Sequence, residues 1–278
     1  MINRRLAVVG ALVLTVAVAG VAFAATVVVR PSSMDGWAFS TTGTASAGMV
    51  TGPGAPPLGT GSAQLSVGAD GDSGARLRNS SHNGTLLARL TALSYSTYVQ
   101  QDGSGGQAPY LILDVDLNAD GAWDDLLFFE PVYQTGAYSG DTVPNQGSVM
   151  VGTWQEWDAL AGGWWALSAG TFGPPLVTLE NYVAAHPGAR LASPANGDGS
   201  LRIVAGFGAG AWDNFVGNAD AFSIGVDGNN TTYDFEPNLP QPPSKDACKK
   251  KGWMNYARAN GSTFKNQGDC IQYVNTGK

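Results

Sequence analysis

The sequence predicts an all-β fold: a two-sheet antiparallel sandwich of jelly-roll type, with one short helix and a small disulfide-closed C-terminal tail. Three observations carry this reading. Gly, Pro, Ser, Thr, Asn and Asp punctuate the chain, with 38 Gly and 15 Pro in 278 residues, and short β-branched and aromatic runs lie between them. Helical periodicity is nearly absent. The only two cysteines, Cys248 and Cys270, fall together beyond a proline-rich stretch.

Each element follows from its residues. Trp37-Ala38-Phe39-Ser40 reads as the first strand, and Thr42 to Thr60, rich in Gly, Pro and Thr, as loop. Ala63 to Val67 and Ala75 to Arg78 read as two strands around the turn GADGDSG. Leu93 to Tyr98 is β-branched and aromatic enough for strand. Leu111 to Leu117 and Asp125 to Phe129 alternate in side-chain direction, and Asp120-Gly121 between them supplies the positive-φ turn of a hairpin. Pro144 to Thr153 and Gly163 to Leu167 add weaker strands. Leu176 to His186 is the one helix, capped by Thr178 and stopped by Pro187-Gly188. Leu201 to Ala205, Ala221 to Val226 and Thr232 to Glu236 complete a set of roughly ten to twelve strands, enough for two stacked sheets. A body of about 215 residues buries one large core.

Arg4 and Arg5 precede an uncharged run from Leu6 to Val29, and Ala22-Phe23-Ala24 has the small-x-small pattern of a signal peptidase site. Residues 1–24 therefore read as an export signal, whose removal leaves no membrane span. The run is also long enough for an uncleaved anchor, since a span needs about 20 apolar residues. Residues 25–236 form the sandwich, 237–243 (PNLPQPP) a stiff extended linker, and 244–278 the tail. From Ala25 to Pro243 there are six arginines, no lysine and twenty acidic residues, a charge of −14. In the tail Lys245, Lys249, Lys250, Lys251, Arg258, Lys265 and Lys278 face only Asp246 and Asp269, a charge of +5. An acidic, lysine-free body repels phosphate backbones, which excludes nucleic acid as the natural partner. In an exported chain the pair Cys248 and Cys270 forms a disulfide, and closing a loop of about 23 residues stabilises the tail by roughly 3 kcal/mol.

Candidate chemistry is concentrated in two stretches. Asp116, Asn118, Asp120, Gly121 and Asp124 match the first nine positions of an EF-hand-type loop, with oxygen side chains at alternate positions and a Gly at the bend. The twelfth position is Leu127 and no helix flanks the loop, so a complete EF-hand is rejected. Two readings stay open: a hairpin whose Asn and Asp side chains bond its own N–H groups, or an open structural calcium (Ca2+) loop that uses Asp116, Asn118, Asp120 and Asp124. In TWQEWDALAGGWW, Trp154, Trp157, Trp164 and Trp165 stand beside Gln155, Glu156 and Asp158, a composition suited to stacking on sugar rings, with core burial as the alternative. Trp164 and Trp165, adjacent in a strand, point to opposite faces.

Catalysis has less support. Glu130, Glu156, Glu180 and Glu236 are the only glutamates of the body, and glycoside hydrolysis needs two carboxylates about 5–10 Å apart. Glu130 and Glu236, each before a proline, are the pair to test. His82 and His186 have no serine elbow and no third ligand for zinc. GFGAGAW opens no helix and is discounted as a phosphate loop.

Asp220-Ala221-Phe222-Ser223-Ile224 and Tyr233-Asp234-Phe235-Glu236 resemble the closing strands of bacterial exported jelly-roll domains, carbohydrate-binding modules among them. That resemblance implies that the strand near Trp37 pairs close to the last strand. The tail is similar to a segment, CK-x-GGW…FKNQGDCV, appended to varied exported proteins of actinobacteria. Cys248, Trp253, Phe264, Lys265, Asn266, Gln267, Gly268, Asp269 and Cys270 match, and Lys251 stands where that segment has the first Gly of a pair. The reading that emerges is an exported, envelope-associated, non-catalytic protein that binds a glycan or envelope polymer, with structural calcium as one of the two open readings of its acidic hairpin. The alternatives are a structural or adhesive surface protein and a polysaccharide-acting hydrolase.

Overall fold

The computed structural model describes residues 24–208 and 210–278, and among them alternating side-chain direction builds fifteen strands, alongside two α-helices. The first strands are β1 (Ala24–Val29), β2 (Trp37–Thr42), β3 (Ser46–Thr51), β4 (Gly61–Ser66), β5 (Gly74–Asn79) and β6 (Leu90–Gln101). A hairpin of β7 (Tyr110–Asp116) and β8 (Asp125–Phe129) follows, then β9 (Trp154–Asp158), β10 (Gly163–Ala166) and β11 (Val177–Thr178), which leads into α1 (Leu179–Ala185). β12 (Arg190–Leu191), β13 (Leu201–Gly206), β14 (Val216–Val226) and β15 (Asn229–Phe235) complete the sandwich, and α2 (Gln267–Thr276) lies in the tail.

The first sheet has seven strands built on β14, which pairs with β4 and then β15 along one edge and with β6 along the other. β3, β1 and β9 extend it beyond β4, β15 and β6. The second sheet has eight strands in the order β11-β10-β8-β7-β13-β5-β2, with β12 on the end of β7. Every ladder between these strands is antiparallel except β1 beside β15. Leu65, Leu93, Tyr95, Trp157 and Phe222 of the first sheet share one core with Leu77, Leu111, Phe129, Trp164 and Ile203 of the second, each at most 1% exposed. Burying one such side chain contributes about 1.5–3 kcal/mol.

The structure departs from the sequence reading at several points. Ser46–Thr51 forms β3 inside the expected loop, because small, half-exposed residues at a sheet edge give little periodic signal. Pro144 to Thr153 forms no strand beyond a bridge from Val151 to Val99. Side-chain amides order it instead: Gln146 bonds both backbone groups of Asp158, and Gln155 bonds Ser148 and Met150. β1, not the strand of Trp37, pairs with the last strand. Trp37 reaches that region from the facing sheet, edge-on to Phe222, Tyr233 and Phe235 at 5.3, 5.3 and 5.0 Å. A second helix, α2, joins the expected one, whose N-terminus Thr178 caps by accepting the Asn181 N–H. The export-signal and anchor readings of residues 1–24 lie outside the described residues apart from Ala24, where β1 begins. No helix among the described residues is long and apolar enough to cross a membrane.

The tail has its own small core. The Cys248–Cys270 disulfide, Cα atoms 5.8 Å apart, packs with Phe264, Trp253, Tyr256 and Tyr273. Arg258 joins the pieces: it bonds the Thr263 carbonyl, pairs with Asp269 and lies over the Phe264 ring. Lys251 adopts φ +69°, the left-handed region that favours Gly, and a Cβ on Gly252 would meet the Ala247 carbonyl oxygen at 2.1 Å. The Gly-Gly pair of the similar segment thus answers two needs, a left-handed turn and then bare backbone. Lys251→Gly is expected to stabilise the tail by about 1 kcal/mol, seen as slower hydrogen exchange in α2, and Gly252→Ala to do the opposite.

β14 changes partner at Asp220-Ala221, where Ala221 has φ +51° and the register against β6 slips. The buried Asp220 carboxylate fills the gap, accepting the Phe235 N–H at 3.1 Å and the Leu58 N–H at 3.0 Å. Burial pushes this carboxyl up to about 7, against the pull of backbone N–H groups, and neighbouring Asp234 adds to the rise. Asp234 is itself raised by burial and by Glu236. An acid raised in the folded state holds its proton better folded than unfolded, so its contribution to stability declines as pH climbs from about 4 to 7. Thermal melts are expected to show a falling Tm across that window, and a carbon-detected NMR titration to place the Asp220 midpoint near 7; an ordinary carboxylate midpoint would refute it.

Candidate functional site

The outer face of the second sheet carries side chains that a plain solvent face does not require. Strand register sets Trp165, Phe128, Ile112, Arg202 and Arg78 side by side on β10, β8, β7, β13 and β5. Tyr110, Val204 and Arg76 form the next row. The intervening residues, Trp164, Phe129, Leu111, Ile203 and Leu77, point into the core. Segments after β10 and β13 border this face, and together they enclose a cleft of about 510 Å³ with Phe172 and Phe207 on its walls. Small-molecule sites occupy about 300–1,000 Å³.

One side of the cleft is aromatic. Phe128 stacks on Trp165 with ring centroids 3.8 Å apart and planes within 1°, and the Trp165 indole N–H donates to Glu130 Oε1 at 2.7 Å. Burial raises the Glu130 carboxyl above the usual range, and the indole bond returns part of that shift. The buried Gln134 amide fixes this corner, because it bonds both the N–H and the carbonyl of Gly163, as a strand partner would. Tyr110 packs against Trp212 at 5.5 Å and donates its hydroxyl to the Gly206 carbonyl. Phe172, 75% exposed, stands at the rim.

The other side is cationic. Three of the body's six arginines, Arg76, Arg78 and Arg202, meet on two adjacent strands, and Arg76 and Arg202 line the cleft. Arg202 pairs with Asp114, and Arg78 with Asp198 at 2.7 Å. Arg76 has no ion pair among the described residues, and the Nε atoms of all three arginines are buried without a partner. Its guanidinium lies 3.9 Å from the centroid of the Phe207 ring. That ring lies flat on β5 because residue 74 is Gly: a Cβ there would meet Phe207 at 2.0 Å. Burial, then the charges of Arg202 and Arg78, depress the Arg76 pKa, while Tyr110 and Asp114 partly offset them.

The six residues read as a binding platform are not brought together. Trp157 and Trp164 are fully buried, their indoles bonded to Thr97 Oγ1 and the Ala159 carbonyl. Trp154 is half-buried on the outer face of the first sheet against Tyr98, with Glu156 and Asp158 exposed on the same strand. Trp165 alone lines the cleft. The missed residues are Arg76, Arg202, Tyr110 and Phe207, and the available signal was charge at alternate positions of otherwise apolar strands. Glu130 and Glu236 do not pair. Glu130 lines the cleft, whereas Glu236 is held by the N–H groups of Thr60 and Gly61 and faces Arg30. His82 contacts the Tyr233 hydroxyl at 3.1 Å, and His186 packs on Tyr182.

No protein-family model and no curated protein matches the chain. Among solved structures it is similar to SGBP-B from a complex xyloglucan utilization locus in Bacteroides uniformis, at 15% sequence identity and a TM-score of 0.31. The match covers 68% of this chain and 46% of that one, so the chain spans less than half the length of that structure.

The acidic hairpin lies apart from the cleft floor. Asp116, 1% exposed, accepts the N–H groups of Asn118, Ala119 and Gly121 at 3.0, 2.6 and 2.9 Å. Burial pushes its carboxyl up, but these bonds more than offset that, leaving it below the usual range. Asn118 and Asp120 accept the N–H groups two residues on, and Asp124 accepts from Leu117 and from the Asn118 amide. Gly121 has φ +89°, as the turn requires. Each of the four side chains thus already serves the loop. Asp116→Ala is expected to lower stability by about 2–3 kcal/mol. Melts of the native protein in chelator and in millimolar calcium test the other reading. The self-bonded hairpin predicts equal Tm values, and a calcium-dependent rise would favour a bound ion.

Proposed function

We propose that the protein is an exported, non-catalytic binding module that holds a glycan in the cleft on its second sheet. The observation that carries this reading is the meeting, in one open cleft, of aromatic surface with a few convergent polar groups. Sugar rings present flat C–H faces to aromatic side chains, and their hydroxyls need both acceptors and donors. Phe128, Tyr133 and Phe172 supply the first, and Glu130, Gln107 and the arginines supply the second. Phe128, Arg76 and Arg202 lie on strands and Glu130 directly follows β8, so these groups require little ordering on binding.

A hydrolase would need a second free carboxyl beside Glu130, at about 5–10 Å. Asp114 is committed to Arg202, and Glu236 to Thr60, Gly61 and Arg30. For the tail we propose attachment to anionic polymers of the envelope, supported by its excess of lysine beside an acidic body.

A glycan array is expected to give binding that Glu130→Gln weakens about 10–100-fold, through loss of charged hydrogen bonds, and that Phe172→Ala weakens about 2–10-fold. Unchanged binding in both variants would move the site elsewhere. Deleting residues 244–278 is expected to release the protein from cells, and full retention would sink the envelope reading.

A further inference from the structure

The cleft contains one cation that the fold does not explain. Arg202 and Arg78 are direct neighbours across a ladder, and like charges in that position repel unless countered. Asp114 and Asp198 counter those two. Arg76 stands two residues from Arg78 on the same face, opposite Val204, with no carboxylate of its own among the described residues. A neutral side chain would cover Phe207 equally well and avoid the repulsion. The guanidinium is instead kept, half-buried, facing the cleft and braced on an aromatic ring that fixes the plane of its fork. Phe207 itself is held at φ +64°, uncommon for a residue with a side chain, and Gly74 beneath it leaves room for its ring.

We propose that Arg76, with Arg202 beside it, holds the carboxylate of an acidic sugar, so that the cleft recognises a uronic-acid-containing glycan. This rests on the glycan reading above and names the substrate class. Guanidinium and carboxylate match as planar, bidentate partners. The charge fits a single unit: Asp114 neutralises Arg202, leaving Arg76 as the unanswered cation at one end. At the other end Glu130 opposes a multiply charged group such as a phosphate ester. The aromatic surface between the two ends takes the ring face.

The test is calorimetry of the full chain with oligogalacturonate, oligoglucuronate and alginate oligosaccharides, each beside its carboxyl-reduced counterpart. At least one acid is expected to bind about tenfold or more tighter than its reduced form. Arg76→Gln should erase that preference, weakening the acid form by a much larger factor than the reduced form, and Arg76→Lys should restore only part of it. Glu130→Gln should weaken acid and reduced forms alike. If Arg76→Gln melts early, Phe207→Ala, which removes the brace at the exposed wall, must reproduce the lost preference. Equal binding of acid and reduced sugars, still sensitive to Glu130→Gln, overturns the carboxylate and spares the glycan reading. Tighter binding of sulfated sugars also overturns it. No binding by any saccharide overturns both.

Discussion

The register of the second sheet is the constraint on which the rest depends. On five neighbouring strands one set of alternate residues, Leu77, Ile203, Leu111, Phe129 and Trp164, closes the core, and the other, from Arg202 to Trp165 with Arg76 in the next row, builds the cleft. A slip of one residue in any strand would exchange these sets, placing guanidinium groups between the sheets and aliphatic side chains in water. The large core contribution on one face therefore also fixes the geometry of the binding face. Core and site are two readings of a single pattern.

The aspartates of the central hairpin show how one acidic stretch is divided among tasks by side-chain direction. Asp114, outward on β7, meets Arg202 in the cleft. Asp116, Asp120 and Asp124 fold the turn on itself. Asp125, inward at the start of β8, accepts the Tyr182 hydroxyl and both donors of Ser168, and so ties α1 and the end of β10 to the sheet. The bonds of Asp114 and Asp125 join segments 43 to 88 residues apart in the chain, and those to Ser168 anchor the segment after β10 that borders the cleft. Backbone N–H bonds hold the Asp116 carboxyl below the usual range, whereas at Asp220 burial outweighs such bonds, and at Glu130 it outweighs the single indole bond.

Much of the architecture was legible in the sequence because β-branched and aromatic alternation reports burial directly. The hairpin arms, β5, β13, β15, the capped helix and the disulfide all follow from local pattern. β3 was not legible, since SAGMVT offers small residues without clear alternation at a sheet edge. The site was less visible than the fold. Four tryptophans within twelve positions drew attention to one segment, but β9 and β10 belong to different sheets and the pleat sends their indoles in three directions. Arg76 and Arg202, which line the cleft, are separated by more than a hundred residues of chain, and only the pairing of β5 with β13 joins them. Long-range pairing of this kind leaves no periodic trace in one sequence.

The sulfur chemistry of the chain is confined to one end. Both cysteines lie in the tail and are joined to each other, and the sandwich contains none. Thiol reductants therefore have a single target: they would unravel a fragment too small to keep its shape unaided while the two sheets stay folded. A two-part protein would then behave as one part and a loose, lysine-bearing strand, a change that the surrounding redox conditions alone could impose.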